Sequence, residues 1–225
     1  MLLSNFNRLI VNLKTEGICN TLIGISRLGC QRIGIISSNT LIYKKCLGLD
    51  EPYDNLGAQR AHIRLEIFRG ERELKAFGQA TPKLANLPLR KWFKRGSVCL
   101  ALTSSDQIFG YGWIHFAFFD GIDSVNTLRL DANEAYIGPF FIDPKFRGNR
   151  LYYALTGAVL NHLKSVGCVH NVYTASSIRN LATIKVMISS GFNVVGLVRT
   201  SGRKQVLIEL TRERILEKKL TNEKN

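Results

Sequence analysis

Residues 142–157, IDPKFRGNRLYYALTG, hold a strand end, a turn and a helix start in immediate succession. The apolar run stops at Pro144, which has no backbone N–H and cannot extend a ladder. Arg147-Gly148 follows at once, and apolar residues return at Leu151, Tyr152 and Leu155, the spacing of a helix face. A chain written this way passes from strand to helix through a tight basic turn. The first N–H groups of a helix have no acceptor within the helix and lie at the positive end of its dipole, so this turn suits an anion.

The flanking pattern extends the alternation. SVCLALT (97–103) and IFGYGWIHFAFF (108–119) read as two strands joined by the turn SSDQ, an antiparallel hairpin. A polar loop runs from Asp120 to Asn133, and EAYIGPFFI (134–142) is a further strand. Gly138 and Pro139 interrupt that strand in mid-run and call for a bulge or an edge. A helix over 150–166 ends at Gly167 with Lys164 in its last turn. VHNVYTA (169–175) reads as a strand, 180–190 as a helix, and FNVVGLVRT with KQVLIEL as a final pair of strands. Upstream, NTLIYKKCL (39–47) reads as a strand, 60–69 fits strand or helix equally, and 71–79 and 86–95 read as short helices.

Composition excludes several classes. With 225 residues, 45% of them hydrophobic, the chain has ample material for the core of one main domain. Lys and Arg total 31 against 17 Asp and Glu, a net charge of +14, so the surface attracts phosphates, anionic lipid or nucleic acid. Cys19, Cys30, Cys46, Cys99 and Cys168 are odd in number and form no CxxC pair, which argues against a zinc site or a disulfide framework. Reduced, buried thiols and a cytoplasmic protein are expected. No uninterrupted apolar stretch reaches the roughly 18 residues that a membrane-spanning helix needs.

Residues 1–35 form an amphipathic extension, with an apolar stripe at Leu2, Leu3, Phe6, Leu9, Ile10 and Leu13 beside Arg8 and Lys14. Asn5, Asn7 and Asn12 break the stripe, so it is no secretory signal. It suits docking on its own domain, docking on a second copy in a homodimer, or lying on an anionic membrane surface. Residues 213–225 form a charged tail.

The order strand, strand, strand, basic turn, helix, strand, helix, Gly-Phe, strand, strand resembles the GNAT superfamily of acyl-CoA-dependent N-acyltransferases over about residues 95–210. IDPKFRGNRL resembles that family's Val-x-Pro-x-x-Arg-Gly-x-Gly turn, and NLATIKVMISSGF (180–192) its Asn-led helix closing on Gly-Phe. The resemblance implies a mixed α/β (α+β) fold over residues 36–212. Its mostly antiparallel central sheet would be flanked by helices, with strands splayed at the acyl-CoA site. It implies acetyl-CoA or another acyl-CoA as co-substrate and no metal. The pyrophosphate would lie on the turn formed by Arg147, Gly148, Asn149, Arg150, Leu151 and Tyr152, the backbone N–H of Phe141 or Ile142 would bond the thioester carbonyl, and Asn180 would face the pantetheine amides.

Proton removal from an amine needs a carboxylate or histidine. Glu134 is the first candidate, His115 the second, and Tyr136 a water-orienting group. Three departures from the family pattern stand out: Arg150 and Tyr152 replace later glycines, and Met187 replaces a tyrosine that many relatives use as general acid. A thiolate leaving group with a pKa of about 8.5 tolerates the third loss. The whole chain is also similar to GNAT proteins of bacterial surface-polysaccharide synthesis, which implies acetyl transfer to an amino sugar, nucleotide- or lipid-linked. Other readings are N-acetylation of a peptide, protein N-terminus or polyamine, and a non-catalytic acyl-CoA or nucleic-acid-binding module. Peripheral contact with the inner face of the membrane would run through residues 1–35.

Overall fold

A computed structural model describes residues 37–48, 63–77, 84, 86–104, 107–120, 127–201 and 204–209. Residues 1–35, the tail 213–225, Cys19 and Cys30 lie outside the described residues. Two compact units divide the described chain, one within 46–172 and the other combining 37–45 with 173–209.

In the first unit, β2 (Arg64–Phe68), β3 (Val98–Ser104), β4 (Gln107–His115) and β7 (Glu134–Ile142) pair in the order β7-β4-β3-β2, antiparallel throughout. Within 60–69, which periodicity leaves ambiguous, Arg64 to Phe68 form a strand, pairing with Thr103 to Cys99. The α-helices whose full range is described in this unit are α1 (Glu71–Ala76), α2 (Leu89–Lys94) and α3 (Leu151–Val166). β4 is buried from Ile108 to His115. Its continuous apolar run, without polar alternation, is what a strand covered on both faces requires. α3 packs against β3, β4 and β7 through a stripe that includes Leu151, Leu155, Val159, Leu160 and Leu163. A separate core cluster joins Phe68, Leu74, Trp92, Tyr111, Trp113 and Phe141. α3 ends as its sequence dictates, with Gly167 in the left-handed region and its N–H on the Lys164 carbonyl.

Two expectations need correction. The loop 120–133 contains a short strand, β6 (Thr127–Arg129), which pairs with β5 (Phe118–Asp120). Strands of three residues are too short to show a period of two. Of the cysteines, only Cys99 is buried among the described residues, whereas Cys46 and Cys168 are exposed. Cys168 directly follows the Gly167 cap, and the chain turns there outside the sheet.

In the second unit, β1 (Ser37–Cys46), β8 (Asn171–Ser177), β9 (Asn193–Ser201) and β10 (Lys204–Glu209) take the order β10-β9-β1-β8. The amino-terminal strand thus lies between two strands from the other end of the chain. β1 runs antiparallel to β9 with Leu41 opposite Leu197, and β9 and β10 form the final antiparallel pair. Tyr43 is fully buried and its hydroxyl meets Ser176 Oγ at 3.0 Å. The helix α4 (Leu181–Ser189) leads into β9 through Gly191 and Phe192.

Candidate functional site

The expected interruption in β7 is a bulge. Gly112 of β4 pairs with Phe140, but Ile114 pairs with Ile137, so β7 carries one extra residue opposite Trp113. Pro139 donates no ladder bond, Gly138 sits at φ 126, and the Gly138-Pro139 peptide is cis. Beyond the bulge the side chains of β7 lie over the glycines of β4. A Cβ at Gly112 would lie 2.5 Å from the Phe140 ring, and one at Gly110 would lie 2.7 Å from Ile142 Cδ1. Glycine on β4 makes room there for the large side chains of β7.

A single turn of 3₁₀ helix (Pro144–Phe146) follows β7, opened by Asp143, whose Oδ1 accepts from the Lys145 N–H at 2.9 Å. Asp143 N donates to Phe109 O at 2.7 Å, and the Phe109 and Phe146 rings lie 4.6 Å apart, so the turn is anchored on β4. Arg147 Nε donates to Ile142 O at 3.1 Å. That bond uses one of the five guanidinium donors and ties the turn back to the strand end. Asn149 Nδ2 donates to Phe146 O at 3.4 Å.

Gly148 has φ 83, and a Cβ there would meet nothing within 4 Å. The space over the turn is open, and the backbone shape is one glycine adopts freely. Arg150 has φ 55 and ψ 12, the left-handed conformation, without a glycine's freedom. The motif's backbone geometry is therefore retained although the glycine is not, at about 1–2 kcal/mol of local strain. Arg150 makes no side-chain cap bond to the first turn of α3. Leu151 is 3% exposed, so its side chain belongs to the core and only its main chain belongs to the turn. The Tyr152 ring lies against Phe140 at 5.4 Å. Arg147, Gly148, Asn149 and Arg150 thus form a basic turn that follows the 3₁₀ segment after the Phe141-Ile142 strand end and leads into Leu151 and Tyr152 at the start of α3.

The proposed proton-handling residues are less alike. Glu134 opens β7 half-buried, and its Oε2 accepts from the Asp131 N–H at 3.1 Å while its own N–H returns to Asp131 O at 3.0 Å. His115 is 1% exposed, with Nδ1 2.9 Å from Ser97 Oγ and Nε2 2.8 Å from the Gly138 carbonyl. Tyr136 pairs with His115 across the ladder, is 5% exposed, and has its ring 6.2 Å from the imidazole. Ser97 was not singled out by sequence. Nothing in its local pattern marks it, since its partner is 18 residues away. Burial pushes the Cys99 thiol well above the usual range, and it does the same to the Tyr111 hydroxyl with a further contribution from Cys99, so neither ionises near neutral pH.

In the second unit, Asn180 caps α4, its Oδ1 accepting from the Thr183 N–H at 3.2 Å. Met187 is fully buried and serves as core. Among the described residues no three His, Cys, Asp or Glu side chains gather as metal ligands, and no helix is long and apolar enough to cross a membrane. A groove of about 690 Å³ opens elsewhere in the first unit, lined by Leu74, Pro88 and Leu89 with Lys75, Arg90 and Lys94. None of the turn residues lines it.

Residues 63–192 match the acetyltransferase (GNAT) family. Among solved structures, the chain is similar to a tandem GNAT protein from the clavulanic acid biosynthesis pathway, at 18% identity and a TM-score of 0.52, covering 70% of this chain and 50% of that one. It is also similar to a putative GNAT-family acetyltransferase from Novosphingobium aromaticivorans, at 17% identity and a TM-score of 0.50, covering 79% and 67%. The chain therefore spans half the length of the tandem protein. No curated protein sequence matches it. The fold is the mixed, mostly antiparallel α/β arrangement of those structures, and the chain belongs to the acetyltransferase (GNAT) family, whose members are acyl-CoA-dependent N-acetyltransferases.

Proposed function

We propose that the protein transfers an acetyl group from acetyl-CoA to a primary amine, within a catalytic domain of residues 36–212. The observation that carries this reading is the continuous path from the bulged β7 through the left-handed Gly148 and Arg150 to the start of α3. Helix donors, an open approach over Gly148 and the cations Arg147 and Arg150 suit a pyrophosphate. The main-chain N–H of Phe141 or Ile142 bonds the thioester carbonyl and the oxyanion that develops on it. Asn180 contributes to pantetheine recognition on the same reading. The amine nitrogen bonds to the carbonyl carbon, the C–S bond breaks, coenzyme A leaves as thiolate, and the amine proton passes to Glu134, directly or through water, with Tyr136 orienting it.

The acceptor class we favour is an amino sugar of surface-polysaccharide synthesis, nucleotide- or lipid-linked. The +14 charge and the cations lining the α1–α2 groove support an acceptor that carries phosphate. Residues 1–35 would then hold a cytoplasmic enzyme at the inner membrane surface or join two copies. Free-thiol release from acetyl-CoA, measured across amino sugars, polyamines and peptides, tests both the activity and the acceptor. Glu134→Gln should lower turnover by about 10²-fold with acetyl-CoA affinity nearly intact. A binding-only descendant is the second reading, favoured by Met187 being core and by a bulky Arg150 at a family glycine position. It predicts acetyl-CoA binding by calorimetry without thiol release to any acceptor.

A further inference from the structure

A strand bulge loses ladder bonds, and something else must hold the displaced backbone. In β7 the displaced group is the Gly138 carbonyl, and it is met by a side chain, His115 Nε2 at 2.8 Å. A carbonyl only accepts, so Nε2 carries the proton. Nδ1, 2.9 Å from Ser97 Oγ, is then the acceptor of the serine hydroxyl when the ring is neutral. Ser97 is itself 2% exposed and directly precedes β3. A short rod of hydrogen bonds therefore runs from Ser97 through the imidazole to the bulge, wholly inside the unit.

Packing holds the ring as firmly as bonding does. Trp92 of α2 meets it edge-on at 4.8 Å, Trp113 lies nearly parallel at 6.2 Å, and Tyr136 lies at 6.2 Å on its other strand neighbour. Neither the Trp92 nor the Trp113 indole N–H has a hydrogen-bond partner among the described residues, so neither indole hydrogen-bonds the imidazole and both meet it by ring packing. Such a ring is poorly placed to collect a proton from an amine, since its one basic nitrogen already accepts from Ser97.

We propose that His115 is a positioning residue. As a neutral imidazole protonated on Nε2, it fixes the Gly138 carbonyl and thereby the path of Phe140, Phe141 and Ile142, the main chain that the proposed acyl transfer uses to hold the thioester. The assignment rests on the acyltransferase reading above and replaces the general-base role that the sequence suggests for this residue.

The test compares His115→Phe, which keeps a ring and removes both bonds, with His115→Gln, whose amide N–H can still donate to Gly138. Folding of each variant is checked by circular dichroism. His115→Phe should lower kcat about tenfold or more while the KM for acetyl-CoA changes less than about twofold and the acid limb of the pH–rate profile stays where it is. His115→Gln should recover part of kcat although it is no base. Ser97→Ala, which frees one end of the ring, should lower kcat several-fold and covers the case in which His115→Phe does not fold. Nitrogen NMR of the ring should report the neutral Nε2–H tautomer. A charged ring or the Nδ1–H tautomer, equal losses in Phe and Gln with the acid limb abolished, or unchanged kcat in Phe and Ala, would each overturn the proposal while wild-type turnover stands. Wild-type protein that releases no thiol with any amine would overturn the acyltransferase reading first and this role with it.

Discussion

The starts of α3 and α4 have the same backbone bonding and opposite side-chain chemistry. In each, the carbonyl of the preceding residue accepts the first helical bond at 3.0 Å, Arg150 from Ala154 and Asn180 from Ile184. Asn180 then turns its amide oxygen back onto the Thr183 N–H. Arg150 cannot do this, because a guanidinium carries donors and no acceptor. The Asn180 helix start is partly satisfied by its own chain. The Arg150 side chain instead adds positive charge beside the helix start, from a left-handed conformation, and makes no cap bond of its own. That difference separates a helix start built for stability from one suited to an external anion.

The largest expected effect that would break this comparison is at Arg147. Arg147→Ala should weaken acetyl-CoA binding by about 1–3 kcal/mol, the scale of a charge-assisted contact. Calorimetry on the folded variant checks it, and unchanged affinity would remove the α3 start from the site. Asn180→Ala should do the reverse, lowering unfolding stability by about 1 kcal/mol in urea through loss of the cap, and weakening acetyl-CoA less than Arg147→Ala does.

Arg150→Gly sharpens the contrast further. Relief of left-handed strain, about 1–2 kcal/mol, less the roughly 0.5–1 kcal/mol that glycine's freedom costs, should leave the variant about 0.5–1 kcal/mol more stable. Its acetyl-CoA affinity should fall less steeply with salt, because one cation beside the anion is gone. A destabilised variant would mean that Arg150 holds the turn by contacts rather than straining it.

The smallest effect concerns pH. Burial, and secondarily the charge of Arg69, hold His162 on α3 below its usual 6.5. The folded chain therefore binds this proton less readily than the unfolded chain. The stability His162 contributes is present above about 6.5 and is lost as pH falls through the lower folded value. α4 carries no histidine. Urea unfolding from pH 7.5 to 5.5 should show a loss that is smaller in His162→Gln, and an identical loss in both proteins would place the titration elsewhere.

The interruption of β7 and the basic turn were legible in sequence because their determinants are neighbours along the chain. Pro139 has no donor wherever the strand lies, so a bulge or an edge in β7 followed from covalent structure, and the pairing with β4 makes it a bulge. Gly148 and the basic residues around it specify a turn by what their own backbone and charge permit. The left-handed Arg150 was not legible, since arginine gives no local reason for φ 55. Only the superposed demands of the β7 end, anchored by Arg147 to Ile142, and the packed α3, anchored by Leu151, impose it. The bonding of His115 was equally hidden. Its aromatic neighbourhood in β4 gives no sign of Ser97 and Gly138, which the fold brings to its two ring nitrogens.

The sequence by itself determined the type of most elements and the basic strand–turn–helix. These follow from hydrophobic period, proline's missing donor and the unpaired donors of a helix start, all properties of a few adjacent residues. Tertiary structure alone decided that β1 enters between β8 and β9, that Tyr43 bonds Ser176 across a sequence separation of 133, and that three residues of a polar loop pair as β6. Several pairings would satisfy the same apolar patterns locally. The one adopted is chosen by how all the strands together fill the core and meet one another's N–H and C=O groups, a condition that no short stretch contains.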